Sequence, residues 1–288
     1  MRFSYQVGMC DPDHYLPLAK AAEQAGYDGI TIADSICYPQ EASSKYPYNA
    51  DGSREFLESV PFVESLIAVA AMAAVTQNIR FATFVYKLAV RQVPIVAKQV
   101  QGIQTLSGNR FDFGVGISPW EEDFAICDVP WAKRGKRFDE QIDILRGLES
   151  GEFFGYEGEM HSMPAAKMNP VPDAPTTILI GGHAEPALRR AARVGDGWMC
   201  AGANMEQLEA YIGRINQLRQ EYGTAEKPFR VFTTGQDAFT REGIEKLQGI
   251  GVTDVVIAFR NVYEMEPDKP LEEKIAMLDW YAGEFINV

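Results

Sequence analysis

Positive charge is scarce in this chain: 27 Lys and Arg stand against 40 Asp and Glu, a formal net charge of −13. Phosphate backbones and anionic bilayers are bound by cationic patches that release counterions, so neither nucleic acid nor a membrane surface is an expected partner. Thiols are few and scattered. Cys10, Cys37, Cys127 and Cys200 form no C-x-x-C pair, and His14, His161 and His183 keep no metal-ligand spacing, so no disulfide framework and no metal site is expected. The longest apolar run, residues 66–75, is too short to span a bilayer. Residues 1–8 alternate like a strand and lack the apolar centre and cleavage site of a secretory signal, which points to a cytoplasmic protein. No G-x-S-x-G, H-E-x-x-H or P-loop pattern occurs.

What the chain does have is alternation. Short apolar strands and amphipathic helices follow one another from end to end, the mark of parallel β/α units, and 288 residues is the usual length of one eight-unit barrel. The expected fold is α/β, a (β/α)8 TIM barrel with insertion loops, as a single domain over 1–288. Strands are expected at 2–7, 29–33, 79–85, 111–117, 178–180, 197–200, 230–234 and 254–259. Helices are expected at 13–26, 61–76, 93–107, 136–148, 186–194, 205–222 and 244–249, with a closing helix marked by Leu271, Ile275, Leu278, Ala282 and Phe285. Gly26 suits a helix stop, and Pro61 a first-turn position. Residues 61–75 are apolar almost all round, so the face turned from the sheet needs a cover, most simply a second copy of the chain: a homodimer through this helix.

Phe111 to Trp120 reads F-D-F-G-V-G-I-S-P-W, an apolar strand that passes two glycines and ends in a polar, aromatic mouth. A dinucleotide fingerprint would need glycine at 119, where Pro119 stands, and the doubly wound reading loses its support. Active sites of barrels lie just past the strand ends, which gives a short list: Gly8, Cys10 and His14; Asp34 and Ser35; Phe84, Val85 and Lys87; Ile117, Ser118 and Trp120; Gly181, Gly182 and His183; Arg260. Ile178 to Pro186 reads I-L-I-G-G-H-A-E-P, where two glycines and a following helix start suit a phosphate, though a tight turn alone would also ask for glycine. Arg189, Arg190 and Arg193 follow, partly as a solvated face. Asp34 could orient a heteroaromatic ring or assist proton transfer, or simply form a turn. Trp120 serves as a stacking wall or as packing. The long connections at 35–60 and 151–177 have the length of lids, and the first carries Lys45, Tyr46, Tyr48, Asp51 and Arg54.

These segments resemble the luciferase-like monooxygenase family, especially its members that use the deazaflavin coenzyme F420. The resemblance rests on D-x-x-x-x-P from Asp34 to Pro39, V-P-I-V-A-K-Q from Val93, the strand ending at Trp120, R-G-K-R-F-D-E-Q-I-D-I-L-R-G-L from Arg134, and T-T-I-L-I-G-G-H-A-E-P-A-L-R-R-A-A-R-V-G-D-G-W from Thr176 to Trp198. It implies a flavin or deazaflavin across the strand ends with its phosphate near Gly181-Gly182, and a non-proline cis peptide at Phe84-Val85 behind the ring. Asp34, Phe84, Val85, Gly116, Ile117, Ser118, Gly181, Gly182 and His183 are then the expected cofactor residues, with Asp34, Ser35 and Trp120 in the chemistry. Many deazaflavin-using relatives carry His after that Asp, where this chain has Ser35, and the glutamate some carry after the fourth strand gives way to Pro119-Trp120, with Glu121 or Glu122 as substitutes. The expected activity is hydride transfer between coenzyme F420 and a small organic substrate. An FMN-dependent monooxygenase and a non-catalytic cofactor-binding protein are the alternatives.

Overall fold

A computed structural model describes residues 1–287 apart from 44, 47, 48 and 50, so Tyr48 of the first long loop lies outside the described residues. Barrel strands β1 (Arg2–Val7), β2 (Gly29–Ile32) and β3 (Arg80–Thr83) come first, and β4 (Tyr86–Lys87) resumes the third strand after a break. β5 (Phe111–Gly116), then a hairpin of β6 (Phe154–Glu157) and β7 (Ser162–Ala166), precede β8 (Thr177–Gly181), β9 (Gly197–Cys200), β10 (Arg230–Thr234) and β11 (Asp254–Ile257). β3 pairs with β5 and β1 with β11, so the parallel sheet closes on itself as the expected (β/α)8 barrel. Around it run α1 (Tyr15–Ala25), α2 (Ser65–Ala73), α3 (Val93–Ser107), α4 (Glu121–Ile126), α5 (Arg134–Glu149), α6 (Glu185–Val194), α7 (Met205–Glu221), α8 (Arg241–Gly249) and α9 (Leu271–Tyr281). No helix among the described residues is long and apolar enough to cross a membrane.

Helix ends follow their chemistry. Gly26 sits at φ +94 and closes α1 as expected. α2, by contrast, starts at Ser65 rather than at Pro61, because the Glu64 carboxylate accepts the Ile67 N–H at 2.8 Å and sets the first turn there. Its inner face buries Leu66, Val69 and Met72, while Ile67 is 64% exposed. The third strand breaks after Thr83, and the Phe84–Val85 peptide that follows is cis, where the family resemblance put it.

Alternation along the strands gives each face its own core. Outward residues such as Phe111, Phe113, Ile178, Ile180 and Trp198 pack under the helices. Inward, the N-terminal end of the barrel holds charge: Arg230 stands between Asp112 and Asp254, at 2.5 and 2.6 Å, and Arg2 and Arg80 pair with the same two buried carboxylates. Burial alone would raise the Asp112 pKa, but Arg80 and Arg230 outweigh it and hold it below the usual carboxylate range. Above this plug lie Ala82, Leu179, Met199, Phe232 and Val256, with Phe84 and Val85 on top. Gly114 faces Met199: a Cβ there would lie 2.5 Å from its sulfur and 1.9 Å from the Thr83 carbonyl oxygen. The glycines of F-G-V-G therefore serve packing inside the barrel.

Residues 151–177, expected as a turn-rich connection, contain the β6–β7 hairpin, which is clamped to α5. The Glu140 carboxylate, 1% exposed, accepts N–H bonds from Glu159, Met160 and His161 at 2.9–3.0 Å. Burial would raise its pKa, but these bonds prevail and lower it. A depressed carboxylate stabilises the fold fully above its unfolded pKa, about 4.3, and the contribution fades as pH falls through the lower folded value. Glu140→Gln should therefore unfold at lower denaturant than the wild type at pH 7, and the gap should narrow on acidification below about pH 4. Urea melts at both pH values check this; a gap independent of pH refutes it.

Candidate active site

The C-terminal mouth of the barrel is floored by small residues and one branched one. A Cβ on Gly116 would sit 2.7 Å from Val85 Cγ2, and one on Gly181 would sit 2.8 Å from Val85 Cγ1. Val85, turned inward by the cis peptide, thus fills the space above two glycines on neighbouring strands, and the three make a low platform. Beside the phosphate and tight-turn readings of Gly181, the structure adds a packing reason: the space of its missing side chain is occupied by Val85. Gly182, at φ +115, does adopt a conformation that favours glycine, and its carbonyl accepts the Trp198 indole N–H at 2.8 Å.

Asp34 follows β2 and is fully committed. Oδ2 accepts from Arg91 Nη1 at 2.7 Å and from the Lys87 backbone N–H at 2.8 Å; Oδ1 accepts from Arg91 Nη2 at 2.9 Å and Ser65 Oγ at 3.3 Å. A carboxylate has about four lone-pair positions, and the protein fills all of them here. The geometry makes Asp34 the clasp that fixes the chain just after the cis bond, in place of the ring-orienting or proton-transferring group expected from the sequence. Ser35, half-buried, follows it on the rim.

On the opposite side, Ser118 Oγ donates to the Asp123 carboxylate and accepts the Trp120 backbone N–H at 3.1 Å, so it shapes the α4 entry rather than offering a free hydroxyl to a cofactor. Ile117 packs outward on the core. Trp120 is 4% exposed, with its ring 5.5 Å from Lys87 Nζ, 5.6 Å from the Arg54 guanidinium and 6.3 Å from the Tyr46 ring. Arg54 and Tyr46 come from the long β2–α2 loop, and Phe56 of the same loop meets Tyr263 at 5.1 Å. Ser43 of that loop binds Glu122 through its N–H at 2.6 Å, which places Glu122 in loop attachment. Glu121 is exposed at the start of α4.

His183 turns to the outer side of the wall. Its Nε2 lies 3.3 Å from Cys200 Sγ and its ring stacks on Tyr211 at 5.3 Å, so burial lowers its pKa and the side chain is spent on packing α7. The arginines after it are also engaged: Arg190 and Arg193 pair with Asp139, and Arg189 with Glu185. An anion at the β8–α6 turn would therefore rest on backbone N–H groups, not on these cations. His14, Lys274, Asp268 and Arg260 form a separate cluster past β1 and β11, with Lys274 Nζ 2.9 Å from His14 Nδ1 and 2.8 Å from Asp268. No group of three His, Cys, Asp or Glu able to hold a metal occurs among the described residues.

A closed parallel eight-stranded barrel with a cis Phe84–Val85 peptide and glycines at the ends of two neighbouring strands defines the class: a (β/α)8 barrel protein. The chain belongs to the luciferase-like monooxygenase family, whose model matches residues 4–245. An uncharacterised protein of Mycobacterium tuberculosis is 50% identical over 287 residues, 99% of each chain. An F420-dependent glucose-6-phosphate dehydrogenase of Beutenbergia cavernae is 27% identical over 201 residues, covering 68% of this chain and 55% of that protein. Among solved structures, a monooxygenase from Streptomyces bottropensis superposes with a TM-score of 0.79 at 17% identity over 100% of this chain and 99% of the other. The coenzyme F420-dependent tetrahydromethanopterin reductase of Methanopyrus kandleri superposes with 0.74 at 14% identity over 99% and 98%. These two structures share the fold.

Proposed function

We propose that the protein is an oxidoreductase that moves a hydride between coenzyme F420 and a small organic substrate. The observation that carries this reading is the Val85–Gly116–Gly181 platform, a surface low enough for a tricyclic ring to lie against, in a family whose relatives include F420-dependent dehydrogenases. When bound, the deazaflavin would give or accept the hydride. Val85 would support its ring from beneath, Phe84 would pack below, and the backbone of Gly181 and Gly182 would face its phosphate. Asp34, through Arg91 and Lys87, would hold that support in place, and the Trp120 wall with the 35–60 loop would exclude water and shape the substrate pocket.

Titration separates this from the alternative cofactor. Quenching of coenzyme F420 fluorescence at micromolar protein, with at least about tenfold weaker binding of FMN, is the expected result. The reverse order would make the protein an FMN-dependent monooxygenase.

The homodimer is proposed on the same footing: Ile67 of α2 and Ile95 of α3 are 64% and 63% exposed on neighbouring helices. Light scattering at micromolar concentration should give twice the 32.0 kDa chain mass, and a monomer refutes it.

A further inference from the structure

Lys87 is paired in register with Gly116, and paired residues on neighbouring parallel strands share a face, so its side chain rises from the same inner rim as Val85. Two contacts fix it. Its backbone N–H is held by Asp34, and its Nζ donates to Asp123 Oδ2 at 2.7 Å. Asp123 is its single hydrogen-bond acceptor among the described residues, whereas an ammonium has three N–H groups to give. The Lys87 side chain keeps 15% exposure, while the Asp123 side chain keeps none. Oδ1 of Asp123 has no hydrogen-bond partner, so the carboxylate holds the ammonium through Oδ2 alone. The ammonium stands 5.5 Å from the Trp120 ring, and from Trp120 a run of ring contacts leads through Tyr46 and Phe56 to Tyr263.

A cation with one acceptor among the described residues, beside the Trp120 ring and on the rim next to the platform, has a specific use in the proposed reaction. We propose that Lys87 is the catalytic acid for an aromatic aldehyde or ketone, a role that rests on the hydride-transfer reading above. As the hydride from a reduced deazaflavin arrives at the carbonyl carbon, a C–H bond forms and the C=O π pair moves onto oxygen. Lys87 Nζ passes a proton to that oxygen, giving the alcohol, and the neutral amine regains a proton from water; the coenzyme is left oxidised. Asp123 is a positioning residue that aims the ammonium, and Ser118 holds Asp123 through its hydroxyl.

Two probes test the role. Benzoate carries a ring to lie beside Trp120 and a carboxylate in place of the developing oxyanion, and its binding is read by calorimetry without turnover. The wild type and Lys87→Arg should bind it, and Lys87→Met should bind at least about tenfold more weakly. Because Lys87→Met leaves a buried carboxylate unpaired, the double variant Lys87→Met with Asp123→Asn is the folded control, checked by circular dichroism, and it should lose benzoate equally. In single turnovers with 4-nitrobenzaldehyde and reduced coenzyme F420, the rate in both Met variants should fall by about a hundredfold or more with coenzyme binding within twofold of wild type. Absence of benzoate binding by the wild type, equal binding by the Met variants, or unchanged single-turnover rates overturns the assignment. If neither coenzyme F420 nor FMN binds, it is the proposed function that fails, and the benzoate titration on the protein alone still decides whether Lys87 receives an oxyanion.

Discussion

Asp34→Ala should be the most damaging single change in the mouth, lowering stability by about 3–5 kcal/mol and abolishing measurable coenzyme binding. The argument is one of unpaired groups. Arg91, with only 16% of its side chain exposed, would keep its charge and lose both carboxylate contacts, and the Lys87 N–H would lose its acceptor. Removing one member of a buried ion pair costs more than the pair is worth, because the survivor is left desolvated. Asp34→Asn separates the terms: it keeps the size and one acceptor but gives up the charge, and should retain part of the stability. Chemical denaturation of the three proteins, alongside coenzyme titration, checks this. If Asp34→Ala unfolds at the wild-type denaturant concentration, the clasp is not the anchor described.

The second large effect falls at the platform. Gly181→Val introduces a branched side chain where even a Cβ would stand 2.8 Å from Val85, so overpacking of about 1–3 kcal/mol is expected along with loss of coenzyme binding. The neighbour that must yield is Val85, the side chain that would support the ring in the proposed function. A smaller pair tests the contact directly: Gly181→Ala should be destabilising in the wild-type background and close to neutral in Val85→Ala, a coupling read from a double-mutant cycle in thermal or urea melts. Additive effects would show that the two positions do not meet.

How much of this was legible beforehand depended on whether a signal was local. The strands Gly197–Cys200 and Arg230–Thr234 match their expected bounds residue for residue, because each is a short β-rich run bracketed by turn formers or charge. α3 does so too, with proline at its start and Gly108 at φ +66 past its end. The six-residue α4 was missed, although Glu121, Glu122 and Asp123 in its first turn were a usable sign. The β6–β7 hairpin was missed because the alternation of F-G-Y-E in β6 lasts only four residues, none of the hairpin's residues is fully buried, and Pro164 interrupts β7. The resemblance located the cis peptide at Phe84–Val85, but the company Asp34 keeps could not be read: its chief partner, Arg91, lies 57 positions away in sequence, and only the pairing of β2 with β3 brings them together. The same holds for Lys87 and Asp123, and for the pull of Cys200 and Tyr211 that takes His183 from the mouth.

Val85, Gly116 and Gly181 behave as one piece of furniture shared by three strands, and this limits how the pocket can be redesigned or can drift. Enlarging either glycine demands a simultaneous trimming of residue 85, so single-site libraries at these positions should return almost only inactive clones, whereas a combinatorial library over all three opens routes that no stepwise walk through functional intermediates would reach.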